Sequence, residues 1–153
     1  MSTIWKVILL LIRMGSGIMM LMQGFEKLTG GFAISGLVPV VQKSSDIPDW
    51  YKAFFSHVVN QQLDLIQWMI PLGEIAIGLG LIFGVLSYTA SFFGVFVMLN
   101  YILADMIFTY PIQLFFFIIL LMNKKTLESI SLLHFFKRKK LGNDAHGTHT
   151  YSG

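Results

Sequence analysis

Cysteine is absent from this chain of 153 residues, and charged side chains are scarce. Without a thiol, the chain forms no disulfide and supplies no ligand to an iron–sulfur cluster, a thiolate metal site or a covalently attached c-type haem. Charged residues make up 12% of the sequence. Soluble domains have roughly a quarter. The shortage of charge argues against an ordinary soluble domain.

Patterns that signal catalysis or nucleic-acid binding are also missing. The sequence has four histidines, and none are paired at transmembrane depth as b-type haem requires. We find no nucleophile–His–acid arrangement, no Walker loop and no cluster that predicts a metal site. The net charge of +3 comes without an Arg-rich stripe interleaved with aromatic residues, so we do not expect nucleic acid to be a partner.

The chain is instead rich in long apolar segments, with 55% hydrophobic residues and a mean hydropathy of +0.70. Residues 4–25 and 65–86 each reach the roughly 20 residues that a helix needs to cross a bilayer. Residues 88–108 form a third such segment, and a shorter fourth one extends over 108–124. We predict an all-α integral membrane protein with a bundle of four transmembrane helices. Three spans with a re-entrant segment are the alternative.

Basic residues predict the orientation of this bundle. Six lysines and arginines fall within the last thirty residues, and positively charged segments stay on the cytoplasmic side. Four spans then place both termini in the cytoplasm of a bacterial- or archaeal-type cell membrane. We assign residues 1–123 to the membrane domain and 124–153 to a basic interfacial segment with a disordered tail. Lipids with anionic headgroups are the expected surface partners.

The connection between the first two spans lies outside the cell in this topology. Glycines and prolines punctuate residues 30–48, so we expect that part to be irregular. From Trp50 onward, apolar residues recur at helical spacing, which predicts an amphipathic helix lying in the membrane interface. This helix either caps the bundle or forms a lid over a ligand entrance.

Two charged residues interrupt the apolar spans, Arg13 in the first and Glu74 in the second. An isolated charge there costs at least about 3 kcal/mol, so each should face the interior and have a partner. Counted from the cytoplasmic ends at residues 4 and 86, they lie about 14 and 18 Å deep. We therefore predict that Arg13 and Glu74 pair, with Asn100 at a similar depth. These three form a candidate ligand site.

A second polar group is expected near the outer surface. Its members are Gln23, Glu26, Lys27, Asp105 and His57. A further set of residues, all glycines, falls at spacings that allow two helices to approach closely. These are Gly17, Gly24, Gly78, Gly80 and Gly84.

These motifs, in this order, resemble the DoxX-like family, which includes the DoxD-type small subunits of thiosulfate:quinone oxidoreductase. The matching residues are Arg13, Gly24 to Leu28 (GFEKL), Gly73-Glu74, and the glycines at 78, 80 and 84. The resemblance covers residues 4–123. It implies a four-helix membrane bundle, often associated with quinone reduction, sulfur metabolism or oxidative-stress complexes.

Three functions are compatible with these observations. The first is an accessory subunit of a quinone- or sulfur-linked membrane redox system, without a covalent cofactor. It holds a quinone or a small sulfur species between the helices at the outer side, while a partner protein carries the electrons. The second is a carrier for a small solute or proton, with Glu74 as its gate. The third is a membrane scaffold for a partner protein, in which the Arg13–Glu74 pair is only structural. We expect its partner to be another protein or a second copy of the same chain, which would form a homo-oligomer.

Overall fold

The computed structural model describes residues 2–107 and 109–130, and all regular structure within these residues is helical. The predicted all-α fold is therefore confirmed. The helices are α1 (Thr3–Thr29), α2 (Ile34–Lys43), α3 (Asp49–Phe54), a π-helical turn (Phe55–Val59), α4 (Leu63–Ile82), α5 (Ser87–Leu103), α6 (Tyr110–Met122) and α7 (Lys124–Ser129).

Four of these helices, α1, α4, α5 and α6, pack around a common hydrophobic core. α1 lies along α4 and α6, and α5 lies between α4 and α6. α1 and α4 are long and apolar enough to cross a membrane, whereas α5 and α6 are shorter apolar helices of 17 and 13 residues. The surface of the bundle is also apolar, with more than half of the Trp68, Phe92 and Phe96 side chains exposed.

The turn between α4 and α5 comes earlier than the sequence predicted. We expected the second span to run to residue 86, with a turn at residues 87–88. The helix instead ends at Ile82, and Gly84 and Leu86 both adopt positive φ, at 69° and 57°. Left-handed residues interrupt the helical hydrogen bonds, and glycine takes this conformation without a steric penalty. α5 likewise ends at Leu103, because Asp105 adopts a φ of 61°.

The connection between α1 and α4 folds over one end of the bundle. α2, α3 and the π-helical turn form a second hydrophobic core with residues of α4 and the end of α5. The helix predicted from Trp50 onward is present, with π geometry from Phe55. The irregular structure predicted for residues 30–48 was wrong, because α2 occupies its centre and contains Pro39. Burial of Ile34 and Val41 on one face outweighs the hydrogen bond that Pro39 removes.

We call the end beneath α2, α3 and the π-helical turn the capped end. We call the other end, with the start of α1, the Phe83–Leu86 turn and α7, the turn end. There, the Trp5 indole donates a hydrogen bond to Asn123, and Leu127 is fully buried in the main core. The predicted basic interfacial segment and tail continue beyond Ile130, outside the described residues.

Candidate functional site at the capped end

Glu74 is completely buried, and its carboxylate is the centre of a polar cluster. The Lys27 ammonium lies 2.6 Å from Oε1, and the Tyr101 hydroxyl donates to the same oxygen at 2.5 Å. Lys27 also lies 4.9 Å from the centre of the Tyr101 ring, within range of a cation–π interaction. The second oxygen, Oε2, is buried and has no hydrogen-bond donor among the described residues. One carboxylate oxygen thus accepts from two groups, and the other has no donor among the described residues.

Close packing of α1 on α4 brings Lys27 to Glu74. A methyl group on Gly24 would lie 2.8 Å from the Pro71 carbonyl oxygen, and one on Gly78 would lie 2.7 Å from that of Gly17. The glycines therefore let the two helix backbones touch. The contacts place Gly17 opposite residues 78–82, which sets the register of the whole helix pair.

The same register shows why the predicted Arg13–Glu74 pair was wrong. The prediction assumed that residues 4 and 86 lie at one depth, which places Arg13 level with about residue 77. In the structure Arg13 instead contacts the turn at Gly84, where a methyl group would lie 2.7 Å from Nη1. Arg13 is fourteen residues from Lys27, or about 21 Å along α1. Its Nη1 donates to the Ile130 carbonyl at 3.3 Å.

The five predicted glycines play two different roles. Gly17, Gly24 and Gly78 lie at the α1–α4 contact, and Gly80 packs near Ala90 of α5. Gly84 is not at a helix–helix contact, because it lies in the turn against Arg13.

Asn100 belongs to the cap instead of the buried carboxylate. The Tyr51 hydroxyl of α3 donates to the Asn100 carbonyl at 2.9 Å and lies 3.2 Å from its side-chain oxygen. Burial raises the pKa of Tyr51 to about 12. A second link joins the cap to α4, where Gln67 accepts from the Ile34 amide at 2.8 Å and donates to the Phe32 carbonyl. The cap is therefore fixed to both neighbouring helices by hydrogen bonds.

The predicted outer polar group is only partly assembled. Gln23 lies one helical turn before Lys27 on α1, and its buried Oε1 has no donor among the described residues. Glu26, Asp105 and His57 are exposed. The His57 Nδ1 lies 2.8 Å from the Ala53 carbonyl within its own helix. Of the five, Lys27 is thus the one that reaches the buried carboxylate.

Sequence reasoning missed the tyrosines of this site. Tyr101 directly follows Asn100 and contacts Glu74, and its ring packs on Tyr110 with the two centres 4.8 Å apart. The signal was a hydroxyl within an apolar span, since a buried Tyr O–H usually has a partner. The Lys27–Glu74 contact could not be predicted from the sequence, because it depends on how α1 and α4 are aligned with each other.

The cluster provides hydrogen-bond chemistry. It offers an acceptor at Glu74 Oε2, an ammonium and a hydroxyl on Oε1, and the apolar ring faces of Tyr101 and Phe32, the latter 5.9 Å from the Lys27 nitrogen. Within residues 2–107 and 109–130, no three His, Asp or Glu side chains are grouped to hold a metal ion. Glu74 Oε2 is therefore an acceptor for a hydroxyl donor, and the two rings present apolar surface beside it.

Comparison with known proteins gives one finding. A family model described as DoxX matches residues 8–109, about two thirds of the chain, and this range includes Lys27, Glu74 and Tyr101. No curated protein and no solved structure matches the chain.

Proposed function

Because the chain belongs to the DoxX family of membrane proteins, we propose that it is an accessory subunit of a quinone-linked membrane redox system. The capped end holds the quinone headgroup in this proposal. The observation that carries it is the buried Glu74 carboxylate, with one oxygen held by Lys27 and Tyr101 and the other without a donor. A hydroquinone O–H is a donor of the kind that Glu74 Oε2 lacks.

Such a site would transfer protons to and from the bound headgroup. Oxidation of a hydroquinone releases two protons and two electrons. Glu74 would accept one proton directly from the bound hydroxyl, and the second would pass to water at the outer surface. Lys27 stabilises the ionised carboxylate before that transfer. The electrons pass to a redox carrier on a partner protein, because this chain has no cysteine ligands of its own. With a sulfur compound as the electron donor the reaction runs in the other direction: the bound quinone takes up two electrons from the partner protein and two protons, one of them through Glu74.

The cap governs access to this site. Glu74 is fully buried and Lys27 is 11% exposed, so a headgroup enters only when the cap moves. The hydrogen bonds of Tyr51 to Asn100 hold the closed position. The cap is then a lid lying in the outer membrane interface, as its exposed Trp50 suggests.

A hydroquinone titration tests the binding site. Purified protein is titrated anaerobically with a short-tailed benzohydroquinone, which carries the O–H donor, while tryptophan fluorescence is followed. We expect saturable quenching in the wild type and about tenfold weaker binding in Glu74→Gln, since a hydrogen bond to a charged group is lost. Glu26→Gln, an exposed glutamate on α1, controls for collisional quenching. Equal quenching in all three proteins would reject the proposal.

A second candidate is a proton carrier that uses the same carboxylate. The burial of a charged Lys27–Glu74 pair between two spans favours it, since intramembrane ionisable residues commonly lie on ion pathways. Proton flux into liposomes would then depend on Glu74 without quinone. Flux that is unchanged in Glu74→Gln argues against the carrier.

We also propose that α1, α4, α5 and α6 all cross the membrane, with both termini in the cytoplasm. The absence of cysteine makes this simple to test with single-cysteine variants. Ser2→Cys and Ser45→Cys are both at exposed positions. In intact cells, a membrane-impermeant thiol reagent should label Ser45→Cys only. Labelling of both variants would place residues 2 and 45 on the same side of the membrane. It would contradict the proposal that α1 crosses the membrane between them.

A further inference from the structure

The turn end contains a buried cation without a carboxylate partner. Arg13 is 4% exposed, and among the described residues it forms no ion pair. Its Nη1 donates to the Ile130 carbonyl, and its Nε has no acceptor within residues 2–107 and 109–130. A buried charge of this kind normally has a partner of opposite sign. The described part of this site therefore lacks an anion.

Further buried donors lie close in the chain to Arg13 and to Gly84, which it contacts. Ser16 lies one helical turn along α1, and Ser87 begins α5 three residues after Gly84. Both hydroxyls are at least nine-tenths buried and have no partner in the described part of the chain. Leu86, at the N-cap of α5, provides no side-chain acceptor for the free amides of the first turn. A 17-residue helix carries a partial positive charge there.

An apolar groove adjoins these donors. It lies between α4 and α5, has a volume of about 400 Å³, and is lined almost entirely by apolar atoms. Phe83, Val85 and Leu86 form its end, and they belong to the same turn that places Gly84 against Arg13. At 1.5 Å per residue α4 spans about 30 Å, so the turn after it lies near the headgroups of one leaflet.

We propose that the turn end binds an anionic phospholipid. The phosphate accepts hydrogen bonds from Arg13, Ser16, Ser87 and the first turn of α5, while an acyl chain lies in the α4–α5 groove. Lys6, Lys124 and Lys125 add positive charge at this end, against Glu128. This site lies at the opposite end from Glu74, so its test is separate from that of quinone binding.

Native mass spectrometry of the delipidated protein tests the proposal. The probes are phosphatidylglycerol, phosphatidylcholine and inorganic phosphate, added to the protein in mild detergent. We expect the wild type to retain phosphatidylglycerol in preference to phosphatidylcholine. Arg13→Lys keeps the charge but loses the planar fork, and should bind about tenfold more weakly. Ser87→Ala should also weaken binding, by about fivefold.

A second pair of variants tests the groove and does not alter the buried charge. Ala76→Phe fills the groove, whereas Ile112→Phe adds the same ring at an exposed position of α6 outside it. Only Ala76→Phe should lose the lipid. Displacement of the lipid by millimolar inorganic phosphate would mean that the site takes a free oxyanion, and would overturn the proposal. Equal binding of both lipids by all variants would also overturn it.

Discussion

The two buried cations of the bundle are stabilised in opposite ways. At the capped end, Lys27 lies 2.6 Å from a carboxylate and over a tyrosine ring, so its charge is neutralised within the protein. At the turn end, Arg13 donates to a single carbonyl of the described chain. Both are more than four-fifths buried. The capped end is therefore an ion pair in which one carboxylate oxygen lacks a donor. The turn end is a group of hydrogen-bond donors that lacks an anion among the described residues.

This difference predicts where each end gains stability. A buried pair contributes little net free energy when intact, but removal of one partner leaves an unpaired charge at a large cost. An arginine without a carboxylate leaves no opposite charge behind when it is replaced. The capped end should therefore depend strongly on its cation, and the turn end should depend on what it binds.

Lys27→Met should give the largest loss of stability. The substitution leaves the buried Glu74 carboxylate without its cation, which costs about 3–5 kcal/mol. The free energy of unfolding can be measured by SDS titration in mixed micelles. Lys52→Met is the control, because Lys52 pairs at 3.9 Å with the fully exposed Asp49 and should cost less than about 1 kcal/mol. The double variant Lys27→Met/Glu74→Gln should recover part of the loss. Equal costs for Lys27→Met and Lys52→Met would contradict the ion-pair interpretation.

Two glycines with the same backbone strain compare the ends directly. Gly31 and Gly84 both have positive φ, at 72° and 69°, but only at Gly84 would a methyl group meet a neighbour, Arg13. Gly31→Ala should cost about 1 kcal/mol from backbone strain alone. Gly84→Ala should cost about 2–3 kcal/mol, because overpacking against the guanidinium adds to that strain. The same unfolding titration measures both. Equal stability of the two variants would show that Arg13 does not hinder a methyl group at residue 84.

Arg13→Met should cost less than Lys27→Met, about 1–2 kcal/mol in delipidated protein. The variant loses a charge-assisted hydrogen bond to Ile130, and no carboxylate within residues 2–107 and 109–130 is left unpaired. The difference from wild type should widen when phosphatidylglycerol is added, since a ligand stabilises only the protein that binds it. Phosphatidylcholine at the same concentration is the control. A loss as large as that of Lys27→Met would mean that Arg13 has a strong partner within the chain.

Composition and periodicity were sufficient to predict the fold class and helices close to α1, α4 and α6. The interruptions of helices were less predictable. α2 forms despite Gly36 and Pro39, because its apolar face is buried in the cap. α4 ends early because two positions of the following turn, Gly84 and Leu86, adopt left-handed conformations, which the apolar periodicity does not reveal.

Glu74 was predicted to be buried and paired with Arg13; it is buried, but its partner is Lys27. Glu74 was identified from the cost of burying a charge, which depends only on composition. Its partner depends on the register between α1 and α4. The predicted register placed Arg13 level with about residue 77, whereas Arg13 contacts Gly84, so an error of about seven residues exchanged Lys27 for Arg13. Register is set by backbone contacts of Gly24 and Gly78, and sequence spacing within one helix does not fix the offset between two.

Tyr51→Phe should give the smallest effect, and its pH dependence distinguishes the cap from both buried cations. Removal of the hydroxyl that donates to Asn100 should cost about 1 kcal/mol near neutral pH. Burial raises the pKa of Tyr51 from 10.0 to about 12 in the folded protein. The unfolded chain therefore loses this proton first, so the stability that Tyr51 contributes is present below pH 10 and is lost as the pH rises towards 12. Unfolding titrations of the wild type and the variant across this range should converge, whereas a constant difference would show that Tyr51 is exposed to water and that the cap does not close over it.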